Sequence, residues 1–545
     1  MAGHGALVAP LTPADGTDRV HRRPDGTGLP DPGDLPARTD PPSPGLSGFP
    51  APSDPPALPA PANPSSRASL SGRADLSGRA DLSGRADRVA GLAGAGAGAV
   101  VQFLTVVLVA RGTDPRTAGA FFAATTLCLL AATVLRLDAG NGLVHLIARS
   151  RPSGHPDATG HPHAVDRPRT TGHPYAVDRP RAAGHLRAAM VPVASLSSAV
   201  GVVAFLTVSD PALRVLAVAL PAVTCSGIVV SATRGFGSMR PTLLLTGVLQ
   251  PVAQLVLVGT AVMTGGGDGG GGGGSVAPLV AAWALPYPVV LLLAWLWLRR
   301  RLPGTSGPPG AARELWNHTW PRSLAAGIQA VFQRLDIVVV AWLAGPAEAA
   351  VYTAATRFKV VGQLAGQGLA QAAQPRLVRA LAEGDLPRAR ELYRSSTRWL
   401  VALTWPIWLG YAAFAPWLLG AVFGEEYAPG APVALVLAAT MLLATGCGMA
   451  DVALTAAGHT GAGLAYLVAA LTTTVLLDLL LVPSLGPLGA ALGWAGGTVV
   501  KNLLPLRHVH RRYGLRPLGP WRRHRARWTR SARKAQRARP AWRAR

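Results

Sequence analysis

The sequence predicts an all-α integral membrane protein whose twelve transmembrane helices form two six-helix bundles related by a parallel pseudo-two-fold repeat. Three observations predict it. The 545 residues are 49% hydrophobic and only 14% charged, with a mean hydropathy of +0.28, a balance foreign to ordinary soluble domains. Apolar stretches of about twenty residues, the length that crosses a hydrocarbon core, recur along most of the chain. Lysine and arginine gather in alternate connections between those stretches, which is how a membrane protein marks its cytoplasmic face.

Taken in chain order, residues 1–88 are expected to be a disordered cytoplasmic tail. Residues 1–66 hold sixteen of the 48 prolines and no apolar stretch, so they bury too little surface to offset their chain entropy. The tail lacks the charged start, short apolar run and cleavage site of a secretory signal, and the first membrane helix is therefore expected to be retained. Leu-Ser-Gly-Arg-Ala-Asp occurs three times over residues 70–87, and a twelve-residue unit recurs between Thr159 and Ala182. Both read as expanded linker repeats.

The first bundle is expected over residues 89–298, with spans at 89–110, 117–135, 188–208, 212–231, 242–263 and 276–298. A repeat-containing loop occupies 150–187. A linker follows at 299–320. The second bundle is expected over 321–506, with spans at 321–344, 347–375, 399–420, 431–450, 461–482 and 486–504. Helices are the only sensible assignment, because backbone groups in hydrocarbon must be satisfied within their own segment. If the N-terminus is cytoplasmic, 45 of the 52 Lys and Arg fall on the inner side, two (Arg111, Arg116) on the outer side, and five lie within spans. Both termini are thus expected in the cytoplasm, and the protein in the cytoplasmic membrane.

The tail 507–545 carries fifteen Lys or Arg and no Asp or Glu. Each such charge gains roughly 1 kcal/mol beside an anionic leaflet, so anionic membrane lipids are the partner expected of it. Nucleic acid is not expected, since the tail follows a membrane helix directly.

Several features tempt a chemical reading and do not sustain it. His161, His173 and His185 have prolines close by and no carboxylate or cysteine cluster, and a solvated loop is expected in place of a metal site. Cys128, Cys225 and Cys447 sit inside apolar runs with neither disulfide nor zinc spacing. The glycine run 265–275 lacks the Gly-Lys-Ser/Thr ending of a phosphate loop and reads as a flexible external loop. Gly94, Gly96 and Gly98 have no strand before them, and close helix packing explains them better than a dinucleotide site. Glu425 and Glu426 are adjacent in an outer loop, where solvation outweighs acid–base catalysis. No cofactor, no metal and no enzymatic constellation is expected.

An internal echo supports the repeat. Val107–Ala110, a short loop and Phe121–Thr126 parallel Val338–Ala341, a short loop and Val351–Thr356. Both copies start on the inside and run outward, a transporter design that places a substrate cleft between the halves. Charges within the spans sharpen this, because each costs on the order of 2.5–3.5 kcal/mol at mid-bilayer and so faces a cavity or a partner. Spans seven and eight form a hairpin about Gly345 and Pro346, which puts Arg334 and Arg357 at equal depth, roughly 15 Å from the outer end. Asp336 and Lys359 lie about half a turn away. Residues two apart do not share a helix face, so Asp336 is a poor partner for Arg334 and a better one for Arg357 across the hairpin. Positive charge would remain for an anion. The competing reading is an internal salt-bridge network that only joins the two spans. Lys501 and Asp451 lie near inner ends and are expected to snorkel. Arg214 sits at an outer end, and Asp478 four residues from one. Arg376–Arg398 reads as a basic amphipathic helix on the inner surface.

Residues 118–149 (AGAFFAATTL to LRLDAGNGLVHLIAR), 232–245, 333–358 (QRLDIVVVAWLAGPAEAAVYTAATRF), 423–438 and 479–495 together resemble the O-antigen and teichoic-acid type oligosaccharide-lipid flippases of the multidrug/oligosaccharidyl-lipid/polysaccharide exporter superfamily. The resemblance spans about residues 89–510. It implies two six-helix bundles that open alternately to either face and carry a polyprenyl-diphosphate-linked glycan outward for cell-surface polysaccharide biosynthesis. It also implies that Arg334, Arg357 and Lys359, with Asp336 beside them, line the substrate site, and it leaves room for polysaccharide polymerase machinery as a partner. Asp478 departs from the pattern, which usually has Asn there. Two other readings compete: an ion-coupled efflux transporter of the same superfamily, which should prefer carboxylates in the cleft, and a membrane polyprenyl glycosyltransferase, which needs acidic residues on a sizeable external loop.

Overall fold

A computed structural model describes residues 96–149, 179–265, 276–302 and 310–517. The proline-rich tail, the first linker repeat, most of the second with His161 and His173, the glycine run beyond Gly265 and the basic tail from residue 518 lie outside the described residues. Within them every regular element is helical.

The first half comprises α1 (Gly96–Gly112), α2 (Pro115–Leu135), α3 (Ala139–Arg149), α4 (Arg179–Thr207) and α5 (Pro211–Gly235), then α6 (Arg240–Met263) and α7 (Ala277–Arg299). Short outer turns work because the next helix starts on an aspartate cap and a proline. Asp114 accepts from the amides of Arg116 and Thr117 at 3.0 and 3.1 Å, and Asp210 from that of Leu213 at 2.9 Å, with Pro115 and Pro211 opening α2 and α5. A side-chain acceptor satisfies orphan N–H groups, and proline has none to lose there. α6 contains a π-helical stretch, Leu243–Leu249.

The second half comprises α8 (Ala311–Leu343), α9 (Pro346–Arg357), α10 (Lys359–Ala382), α11 (Leu386–Phe423), a 3₁₀ turn (Glu425–Gly430), α12 (Ala431–Gly446), α13 (Ala450–Ala456), α14 (Thr460–Leu485) and α15 (Pro487–Tyr513). Where its residues are described, every predicted span falls largely on helix, and among the described residues nine helices are long and apolar enough to cross a membrane. The other three spans are α1, whose described part is shorter; α9–α10, which is broken and polar; and α15, whose last turns are basic. The two echoing segments occupy matching places, α1–turn–α2 and α8–turn–α9.

Three differences from the sequence reading have plain causes. The expected surface helix Arg376–Arg398 is divided. Its first residues complete α10, and the rest begins the 38-residue α11, which continues into the membrane. Gly384 at φ +70° and Asp385, which caps Arg388 at 3.0 Å, make the break, and nothing between Arg398 and Trp399 makes another. α4 and α8 begin well before their apolar stretches. His185 consequently lies on α4, not in a solvated loop: it is 2% exposed and its Nε2 is 3.0 Å from Glu314 of α8.

The largest apolar cluster draws on both halves, with Phe121, Trp283, Tyr352, Trp408 and Phe423 among its large members. α2 and α9, the equivalent helices of the two repeats, cross so closely that a Cβ on Gly119 would run into the Pro346 carbonyl. At the arginine-poor end, Arg111 Nε donates to Val422 O at 2.8 Å. At the arginine-rich end, Arg322 pairs with Asp138 at 3.4 Å and Trp316 Nε1 donates to Ala188 O at 3.2 Å. The halves therefore touch at both ends.

Candidate functional site

Arg334 and Asp336 sit nine and seven residues before the end of α8, Arg357 ends α9 and Lys359 opens α10. The tight hairpin between α8 and α9 depends on Gly345, whose φ of +101° suits only glycine, followed by Pro346 at the first helical position. The break between α9 and α10 falls at Phe358. Its ring packs into an aromatic group with Tyr411 (4.9 Å), Phe103 (5.7 Å) and Phe423 (6.0 Å). Tyr411 also donates to the Ala355 carbonyl at 2.7 Å, satisfying an acceptor that the broken helix leaves free.

All four residues line one cavity of about 440 Å³. Its walls come from α8, the end of α9, the start of α10, α12, α13 and α15, and among the described residues of its lining only Thr126 belongs to the first half. The expected cleft between the halves is thus a cavity built almost wholly by the second. Lys359 turns toward α15, where it meets Trp494, while Arg334 also lies near Arg136 of the first half.

Asp336 is 2% exposed. Its Oδ2 accepts from Tyr352 OH at 2.7 Å and its Oδ1 from the Ile337 amide at 2.9 Å. The ion pairs found among the described residues are His185–Glu314 and Arg322–Asp138, so the Asp336–Arg357 pair expected across the hairpin is not formed. The nearby tyrosine takes the carboxylate instead. Arg357 Nε is buried with no hydrogen-bond partner among the described residues. Lys359 lies 4.3 Å from the centre of the Trp494 ring, a contact that steadies an ammonium without neutralising it.

Three residues that sequence reasoning set aside, Lys501, Asp451 and Arg136, belong to this setting. Lys501, expected to snorkel, lines the cavity, donates to Gln329 at 3.2 Å and lies 5.2 Å from the Phe332 ring. Arg136, counted with an inner loop, stands close enough to Arg334 for their charges to repel. With Asp451 also on the wall, four cations face two carboxylates, and the cavity is net positive. At an effective dielectric of about 20, two unit charges 4 Å apart interact by roughly 4 kcal/mol. A dianionic group entering among these cations is favoured on that scale before desolvation is subtracted.

Asp478 differs from its expected place near a helix end. It is 0% exposed between α14 and α15, neither carboxylate oxygen has a hydrogen-bond partner among the described residues, and a Cβ on Gly493 would strike it. Arg214 bonds the Val208 carbonyl at 2.7 Å on an exposed surface. Glu425 and Glu426 are exposed. The three cysteines are free and buried, and no cluster of three metal-ligating side chains occurs among the described residues.

A family model described as "Polysaccharide biosynthesis protein" matches residues 272–432, a segment that contains Arg334, Asp336, Arg357 and Lys359. No curated protein matches the chain. Solved structures share its fold. A multidrug resistance MATE family transporter of the MOP superfamily in an inward-facing conformation superposes with a TM-score of 0.57 at 17% identity, covering 76% of this chain and 94% of that one. The lipid II flippase MurJ in an inward closed conformation gives 0.58 at 10% identity, covering 76% and 85%. The family match agrees with the polysaccharide-biosynthesis resemblance drawn from the sequence, and the solved structures share the all-helical membrane-protein fold expected there.

Proposed function

We propose that the chain is a flippase that moves a polyprenyl-diphosphate-linked oligosaccharide across the cytoplasmic membrane by alternating access, for cell-surface polysaccharide biosynthesis. One observation carries the reading: Arg334, Arg357 and Lys359 share a cavity among helices expected to cross the membrane, and no carboxylate among the described residues pairs with them. Unpaired cations there are costly, and a diphosphate headgroup is a ligand that repays the cost. In this reading Arg334 and Arg357 hold the diphosphate through forked donors and Lys359 and Lys501 add point charge. Asp336, held by Tyr352, sets the local field, and the prenyl chain stays in lipid. The bundles rock about this site without a covalent step, and no cofactor or enzymatic residue is invoked. Both termini lie in the cytoplasm, with residues 89–298 and 321–506 as the two bundles. Polysaccharide polymerase machinery would receive the product.

The test is reconstitution in vesicles with a labelled polyprenyl-diphosphate glycan, measuring whether label reaches the opposite side. Transfer that depends on the protein supports the reading; no transfer above empty vesicles contradicts it. Asp478 is the observation that favours the second reading, ion-coupled efflux of organic cations, because a buried carboxyl without a partner can take up an ion. That reading expects transport of a cationic dye in the same vesicles, and the flippase reading expects none.

A further inference from the structure

The first bundle carries a second cation-lined hollow, of about 620 Å³, at its arginine-rich end. It opens beside the turn Phe236–Ser238 between α5 and α6 and is bounded on the other side by the end of α7. Arg240 and Arg301 stand on its rim and Leu244 and Leu293 on its apolar wall. Both arginines are exposed, and neither takes part in an ion pair among the described residues. The Arg301 guanidinium lies 4.3 Å from the centre of the Trp297 ring, which holds it beside an indole, the side chain that settles at headgroup depth. Leu244 and Leu293 are 64% and 40% exposed on helices that cross the membrane. Leu244 and Leu245 belong to the π-helical stretch of α6, a widened turn that recurs at functional sites in helices. The lining shares no residue with the central cavity.

A cationic rim above an apolar wall matches one kind of molecule. We propose that this hollow holds an anionic phospholipid of the adjoining leaflet, its phosphate taken by Arg240 and Arg301 with Ser238 as a further donor, and one acyl chain laid along Leu244 and Leu293. A free phosphate would satisfy the arginines but leave the leucines facing water. A zwitterionic lipid would cover the leucines but bring its own cation to the rim. The bound lipid ties the α5–α6 turn to the end of α7 and braces the π-helical segment, which packs against α1 so tightly that a Cβ on Gly98 would meet the Gly247 carbonyl. The proposal does not depend on the flippase reading.

The experiment uses the full chain in phosphatidylcholine vesicles doped with a phosphatidylglycerol that carries a diazirine on its acyl chain, with cross-links mapped by peptide mass spectrometry. Labelling is expected on residues 240–249 and 290–301. Arg240→Gln with Arg301→Gln should lower it roughly thirtyfold, about fivefold for each charge removed beside the leaflet. Leu244→Trp keeps both arginines but fills the wall, and should lower labelling of 290–301 as well. The same diazirine on phosphatidylcholine should label these peptides weakly and ignore the arginine substitutions. Labelling that survives loss of both arginines, or equal labelling from phosphatidylcholine, overturns the proposal. So does complete displacement of the lipid probe by soluble glycerol 1-phosphate, which would make the hollow a phosphate site.

Discussion

Arg357 and Asp336 carry the argument at the scale of single residues, one through the partner it lacks and the other through the partner it has. Arg357→Ala is expected to abolish glycan-lipid transfer while leaving membrane insertion and folded yield intact, because deleting a buried cation with no ion-pair partner orphans nothing. Arg357→Lys should recover only part of the activity, since an ammonium lacks the two-pronged fork. Full activity of the alanine variant would remove the site assignment. Tyr352→Phe tests the other half: it strips the donor from a carboxylate oxygen that is 2.7 Å away, which costs about 1–3 kcal/mol. A lowered Tm in detergent is expected, and an unchanged Tm would mean that the Asp336 environment is misread. Four charges of the cavity were legible because an ionisable residue deep in an apolar stretch demands an explanation. Lys501 and Arg136 were not, because each sits near the end of its apolar stretch, where snorkelling explains the sequence equally well and only the packing of α15 and α2 decides. The Asp336–Tyr352 bond was hidden for a related reason: sequence shows which charges oppose one another, not which neutral hydroxyl reaches them first.

Helices meet here by backbone proximity as much as by side-chain fit. Where α2 crosses α9, Gly119→Val would push a branched side chain into the Pro346 carbonyl and Ala350 amide, and overpacking of this kind costs about 1–3 kcal/mol or more. Loss of folded protein on size exclusion, or a clearly lowered Tm, is expected. Gly327→Ala in α8, where a Cβ meets nothing within 4 Å, should be neutral or stabilising by up to about 1 kcal/mol. If the two behave alike, the crossing is not as close as described. Nine of the spans could be read from apolar length alone, because the bilayer fixes that length. The breaks were less legible. Gly384-Asp385 carries an ordinary stop-and-cap signal, yet the leucines spaced among the charges of 376–398 suggested one continuous surface helix. Phe358 carries no breaker signal at all; its aromatic neighbours and the Tyr411 bond to Ala355 hold that break in place.

For the whole molecule the account requires the two bundles to part at the end where Arg322 meets Asp138 at 3.4 Å. Cysteines at these two positions, joined by a short reducible cross-linker in reconstituted vesicles, should stop transfer, and reduction should restore it. Transfer that continues through the cross-link would exclude opening at that end. The paired bundles were visible in the sequence through the echo between Val107–Thr126 and Val338–Thr356, which fixes helix order and direction. The cavity's seat inside the second half was not visible, since a repeat reports symmetry and not which copy keeps the charges. The central claim is that this cavity recognises a diphosphate by its unpaired cations. The most direct measurement is the affinity of the purified protein for a short-chain prenyl diphosphate, the matching monophosphate and the free alcohol, in the wild type and in the Arg334→Gln, Arg357→Gln variant. The account predicts the order diphosphate, monophosphate, alcohol, with the first two collapsing to the level of the third in the variant. Equal affinities in the wild type, or an order that survives both substitutions, would contradict it.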